Sequence, residues 1–410
     1  MSVKVIEGSI TSPKGFQAAG LRAGIKPGKT NKDMAMVAST VPCAAAGVFT
    51  RNLVKAAPVV WDSKMLEEYG VAQAVVVNSG IANACTGEDG YENVRKTAEA
   101  VAKELQIKPE QVMVMSTGVI GAPLPMDTLL NGVTMLREHL SFEESAGHDA
   151  AEAILTTDTH SKEIVVEYEV NGVTAKMAGM CKGSGMIHPN MGTMLSVITT
   201  DAMIPAALIH STLKELVEDT FNMVSVDGDT STNDTVLVLA NGLAENAIIE
   251  PDTDAFAEFE EALCTVMTFL ARNIAADGEG ATRLLEAKVI HAADDQQAKV
   301  LAKSIITSNL TKAAVYGMDA NWGRILCAMG YSGAQFDPNQ VSIQIMSEEG
   351  SLTVVEHGMA ADYDEETATK ILSPKEVTIV ADVKQGEAEA IAWGCDLTYE
   401  YVKINADYRS

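Results

Sequence analysis

Positive charge is what this chain most lacks: across 410 residues, 30 Lys and Arg stand against 56 Asp and Glu, a formal charge of −26. A polyanion of this size is repelled by phosphate backbones and anionic lipid, so neither nucleic acid nor a membrane surface is an expected partner. No segment holds the roughly 18 to 20 consecutive apolar residues of a membrane helix. The amino-terminal MSVKVIEGSITSPKGFQAAG has no apolar h-region, so no export signal is read there. Cys43, Cys85, Cys181, Cys264, Cys327 and Cys395 are scattered singly with no C-x-x-C pair. Reduced thiols in a cytoplasm are therefore expected, rather than a disulfide framework. The histidines include no H-E-x-x-H or close pair, which removes the case for zinc. Repeats, low-complexity tracts and Pro-rich linkers are absent too.

What is present is enough apolar sequence, 47% of residues, to bury a large core. The charge divides unevenly. Residues 1–192 carry 17 basic and 21 acidic groups, residues 193–410 carry 13 and 35. Periodicity reads as mixed α and β. Ala74 to Val77, Val112 to Met115 and Met194 to Ile198 look like buried strands, and Glu163 to Val170 runs into the hairpin signal Asn171-Gly172. Val94, Ala98, Val101 and Leu105 fall at helical spacing, and helices are expected over Ala206 to Met223, Ala255 to Ile274 and Ala298 to Thr311. Strands return at Val341 to Met346, Ser351 to Val355, Glu376 to Asp382 and Leu397 to Ile404.

Several familiar motifs fail on counting. Gly24 to Thr30 (GIKPGKT) has its first glycine one residue too close for a phosphate-binding loop, and no strand precedes it. Gly183-Ser184-Gly185 opens a dinucleotide fingerprint whose last glycine position holds His188. Asp227 to Asp234 begins like a calcium loop, but Thr232 and Val238 occupy the positions of the required Gly and bidentate Glu. A turn whose Asp and Thr side chains bond their own backbone is the expectation there. His188, beside Pro189, reads as a structural or local polar residue.

The stretch with chemical content is Lys182 to Leu195, KGSGMIHPNMGTML. Glycines supply unusual backbone angles, Pro189 fixes one, and a threonine then opens an apolar run. A Gly-Thr junction suits self-cleavage, because Thr Oγ can attack the preceding, unhindered carbonyl. On residue types alone, the favoured reading is that Thr193 simply begins a strand.

This stretch, with TTDA at Thr199 to Ala202, closely resembles the signature of ornithine acetyltransferase, also called glutamate N-acetyltransferase, the family of bifunctional arginine-biosynthesis proteins. Further blocks resemble the same family: Gly47 to Asn52, Asn78 to Gly87, Ser116 to Gly121, Ser225 to Thr235, Asp319 to Ile325 and Tyr401 to Ser410. Two positions depart from it, Gly192 where the family usually has Ala and Ile81 where Asn is commonest.

The resemblance implies an α+β layered sandwich of mixed β-sheets and helices, of the ornithine acetyltransferase/DmpA-like fold. It implies a precursor that cuts itself between Gly192 and Thr193. Residues 1–192 and 193–410 would then be two chains of one catalytic unit, assembled as two copies of each. Thr193 would be the nucleophile and Thr117 and Gly118 the oxyanion hole. Thr156, Lys182, Thr193, Glu279, Asn405 and Ser410 would bind substrate, Lys182 supplying a cation for the α-carboxylate and Glu279 an anion for the ornithine ammonium. The expected substrates are N-acetylornithine and glutamate, with acetyl-CoA a possible second donor and no cofactor or metal. Placing Asn405 and Ser410 in a site requires Leu397 to Ile404 to be anchored as a strand. Without the resemblance, S-T-G at Ser116 to Gly118 is an ordinary turn and Glu279 a solvated turn carboxylate. An amino-terminal-nucleophile amidase or aminopeptidase, and an acidic scaffold that is never cut, are the alternative classes.

Overall fold

The computed structural model describes residues 3–26, 28–188 and 194–407. The predicted positions Gly192, Thr193 and Ser410 therefore lie outside the described residues. In chain order the strands are β1 (Lys4–Ile6), β2 (Phe16–Leu21), β3 (Met34–Phe49), β4 (Val71–Ile81), β5 (Val112–Val119), β6 (Lys162–Val170), β7 (Val173–Lys182), β8 (Leu195–Thr200), β9 (Val224–Ser225) and β10 (Thr235–Ala240). They continue with β11 (Leu284–Ala292), β12 (Ser342–Ser347), β13 (Gly350–Glu356), β14 (Met359–Ala360), β15 (Glu376–Asp382) and β16 (Ala388–Cys395). The helices are α1 (Ala57–Tyr69), α2 (Gly87–Leu105), α3 (Met126–His139), α4 (Glu144–Ala153), α5 (Ala206–Leu216), α6 (Asp254–Ala276), α7 (Asp295–Thr307), α8 (Asn309–Tyr316), α9 (Trp322–Gly330), α10 (Glu365–Leu372) and α11 (Tyr399–Asp407).

Two mixed sheets organise these elements, which is the α+β sandwich the resemblance implied. The first runs β1-β6-β7-β8-β10-β3-β4-β5, with β2 also on β3, and the second runs β14-β13-β12-β15-β11-β16-β9. Helix α6 packs on β6 and β7 of the first sheet and on β11 and β16 of the second, so its apolar residues face both. That position explains why Phe259, Leu263, Val266, Leu270 and Ile274 are all fully buried. Helices α2, α3 and α4 belong to the other core, with Val75, Val77, Met113 and Met115 of the first sheet.

One feature of the first sheet controls the site. Strands β8 and β10 pair in parallel, β8 pairs antiparallel with β7, and β10 pairs antiparallel with β3. Two strands from beyond residue 193 are thus wedged between two groups of strands from before it.

The expected hairpin at Asn171-Gly172 joins β6 to β7, with both residues at positive φ. Three expectations are corrected. Ala206 to Met223 is helical only to Leu216, after which Phe221–Met223 forms a separate 3₁₀ turn. Ala298 to Thr311 is broken at Ser308, whose hydroxyl accepts from the Thr311 N–H and caps a new helix. Leu397 to Ile404 is no strand: Thr398 Oγ1 accepts from the Tyr401 N–H at 3.3 Å, and α11 follows. The alternation of Leu397, Tyr399 and Tyr401 imitated a strand, and the threonine cap prevailed. No helix of the described residues is long and apolar enough to cross a membrane. All six cysteines are free.

Candidate active site

Lys182 ends β7 and pairs in register with Leu195, the first residue of β8. The Gly192-Thr193 junction lies in the chain between these two paired residues. Met194 O accepts from the Thr235 N–H at 2.9 Å, fixing the start of β8 against β10. Around that point a cavity of about 160 Å³ opens. Its lining includes Thr117, Gly118, Thr156, Lys182, Glu279 and Asn405, together with Met194. Every described residue that the resemblance assigned to the site meets there, from segments as distant as β5, the α6–β11 turn and α11.

Thr117 and Gly118 lie within β5, not in a turn after it. Gly80 and Gly118 face one another in the β4–β5 register, which shifts at Ile81. Gly118 has φ +129°, and a Cβ there would overlap the Gly80 carbonyl. Only glycine permits this close approach of the two strands. Gly80 has φ +116° and is covered by the Lys26 stem, whose Cγ lies 2.7 Å from where a Cβ would sit. Asn233 locks the same strand ends, donating from Nδ2 to Ala82 O at 2.6 Å and to Ser116 O at 2.8 Å.

Glu279 stands in the turn between α6 and β11, where Gly280 takes φ +67°. It is only 9% exposed, so the solvated reading is corrected. Its N–H donates to Ser184 O at 2.9 Å, and a Cβ on Gly185 would overlap its carboxylate. Asn405 reaches back from α11 and donates from Nδ2 to Glu279 Oε2 at 2.7 Å. A helix rather than a strand thus brings Asn405 in, anchored by Thr398 Oγ1 donating to Gly280 O at 2.7 Å.

The loop Asp227 to Asp234 does more than satisfy its own backbone. Asp227 Oδ2 and Oδ1 accept from the Met186 and Ile187 N–H groups at 2.7 and 2.9 Å, and Thr230 Oγ1 donates to His188 O at 2.8 Å. It straps down the approach to the Gly192-Thr193 junction. His188 is structural, with Nδ1 at 3.0 Å from Ser225 Oγ. Burial, assisted by Lys303 and opposed by Asp227, pushes its pKa down to about 4.

A family model described as the ArgJ family matches residues 17–410. The chain belongs to the ArgJ family. The arginine biosynthesis bifunctional protein ArgJ of Symbiobacterium thermophilum is 52% identical over 406 residues, covering 99% of both chains. That of Caldanaerobacter subterraneus subsp. tengcongensis is 50% identical over 408 residues, covering 100% of both. The crystal structure of the Bacillus halodurans protein of the same name is 44% identical, covers 51% of this chain and 97% of its own, and has a TM-score of 0.49.

Beneath the ArgJ cavity lie charges that sequence reasoning missed. Lys162 Nζ, fully buried, donates to Asp158 Oδ1 at 2.9 Å and to Asp277 Oδ2 at 2.6 Å. Asp158 also accepts from the Gly183 N–H at 2.6 Å and the Thr156 N–H at 3.1 Å. Burial raises the Asp158 pKa, but Lys182 and Lys162 outweigh it and hold the carboxyl well below the usual range. No local motif announces this cluster, whose partners are up to 115 residues apart. The one available signal is the presence of Asp158 and Lys162 close to Thr156 in sequence. Among the described residues no group of His, Cys, Asp and Glu is arranged to hold a metal ion.

Proposed function

We propose that this ArgJ protein is a self-processing acyltransferase of arginine biosynthesis that moves acetyl from N-acetylornithine to glutamate through an acetyl-Thr193 intermediate. The observation that carries the reading is the convergence of Thr117, Gly118, Thr156, Lys182, Glu279 and Asn405 on one cavity beside Met194, the residue that follows Thr193.

Cleavage between Gly192 and Thr193 turns an amide nitrogen, which cannot take up a proton, into an α-amine. Its unperturbed pKa of about 7.7 to 8.0 lets it serve as base toward the Thr193 hydroxyl near neutral pH. Thr193 Oγ attacks the acetyl carbonyl, and the oxyanion is met by the Gly118 N–H and the Thr117 hydroxyl at the β4–β5 ends. The ammonium of Thr193 protonates the departing ornithine nitrogen. Glutamate then enters, gives up an amine proton to the Thr193 amine and takes the acetyl group. Lys182 pairs with the α-carboxylate common to both substrates, and Glu279, oriented by Asn405, pairs with the side-chain ammonium of the donor. No cofactor is required, and Ser410 completes the substrate pocket. The relatives are named bifunctional, which supports acetyl-CoA as a second acetyl donor to the same threonine. The mature protein is an assembly of two copies of each fragment.

Intact-mass measurement and steady-state kinetics test this together. The wild-type chain is expected as two fragments, the second gaining one acetyl group on brief exposure to N-acetylornithine, with parallel-line kinetics against glutamate. Thr193→Ala should remain one uncut, inactive polypeptide. An uncut wild-type chain with full transferase activity would refute the reading.

A further inference from the structure

Four charged side chains, Lys162, Asp158, Asp277 and Lys182, are no more than 8% exposed and lie against one another under the cavity. Two carboxylates balance two ammonium groups, but unequally. Lys162 sits at hydrogen-bonding distance from both carboxylates, whereas Lys182 Nζ lies 3.8 Å from Asp158 Oδ2, within Coulombic range but beyond a good hydrogen bond. Lys182 lines the cavity and Lys162 does not.

We propose that Lys162 is a positioning residue for substrate recognition: by neutralising Asp158 from below, it leaves the Lys182 ammonium available to the α-carboxylate of the donor. The inference rests on the reading of Lys182 given above. Without Lys162 the cluster would hold two carboxylates and one ammonium, and Lys182 is the nearest remaining cation to Asp158 among the described residues. A buried carboxylate left without its partner draws in whatever counter-charge can reach it, because an uncompensated buried charge is costly. A shift of about one ångström would close the Lys182–Asp158 gap to a hydrogen bond and withdraw the ammonium from the substrate. The remaining contacts of Asp158, from the Thr156 and Gly183 N–H groups, hold the carboxylate still while Lys162 balances it.

The experiment compares N-acetylornithine with N-acetyl-1,4-diaminobutane, the same donor without its α-carboxylate, on the purified, self-processed enzyme. Lys162→Met is expected to raise KM for N-acetylornithine about tenfold with kcat within about twofold, and to leave kcat/KM for the decarboxylated donor unchanged. Lys162→Arg should restore the wild-type KM. Lys162→Gln carries the expectation of the methionine variant where that variant does not fold. Equal losses on both donors, or no loss on either, would overturn the proposal, since a merely structural role does not distinguish them. Lys182→Ala separates the two levels. If it discriminates between the donors and the Lys162 variants do not, the role of Lys162 falls alone. If Lys182→Ala does not discriminate either, the reading of Lys182 falls and takes this inference with it.

Discussion

Asn405 Nδ2 donates to Glu279 Oε2 over 2.7 Å, joining two residues 126 positions apart. The donor sits on a helix with no buried residues, and the acceptor is a nearly buried carboxylate. This one bond aims the anion of the cavity. Asn405→Ala is expected to raise KM for N-acetylornithine by roughly three- to tenfold while leaving thermal unfolding unchanged. Steady-state kinetics beside a melting curve checks both halves, and an unaltered KM would remove Asn405 from the site.

The facing glycines of β4 and β5 make the sharpest steric prediction. Gly118→Ala puts a methyl group into the Gly80 carbonyl at a backbone angle that disfavours it. Pushing the strands apart displaces the Gly118 N–H proposed as an oxyanion donor, which should lower kcat by about a hundred- to a thousand-fold. Intact mass would show whether self-cleavage slows in parallel, as expected if both reactions use the same donors.

His188 gives a pH dependence of definite sign. Its folded pKa of about 4 lies below the ordinary value of 6.5, so the unfolded chain takes up this proton first on acidification. Stability should therefore fall as pH drops from 6.5 toward 4. His188→Gln should flatten that part of a melting-temperature profile, and an identical profile would show that His188 does not contribute.

Asp62 is a separate test of burial. Its Oδ1 accepts from the Val114 N–H at 2.8 Å, Oδ2 has no partner among the described residues, and burial drives its pKa well above the usual carboxyl range. The folded chain holds this proton after the unfolded chain has lost it, so the contribution is full below about pH 3.9 and wanes as pH rises. Asp62→Asn should raise the melting temperature at pH 8 by on the order of 2 °C, with the gap closing toward pH 4.

Much of this molecule was legible residue by residue. Asn171-Gly172 marked its hairpin, and the apolar spacing from Val94 to Leu105 marked the buried face of α2, because both signals are local. The glycines of the Lys182 to Leu195 stretch stood out on residue types alone, whereas Gly118 read as part of an ordinary turn until the family resemblance gave it a role. The helix at the carboxyl end was misread because one threonine cap outweighed three alternating apolar residues. Asp158, Lys162 and Asp277 were invisible for a different reason: their meaning lies in pairing across the fold, and nothing near any of them in the chain records its partner.

The wedge of β8 and β10 bears on how such an enzyme could ever be built. Severing the backbone between residues 192 and 193 would leave both products threaded through the same sheet. Two genes encoding the pieces separately would face a harder task, since a ribosome finishing the first would release an open sheet with its middle missing. A cut made only after folding would spare the protein that stage, with the uncut polypeptide serving as its own assembly jig.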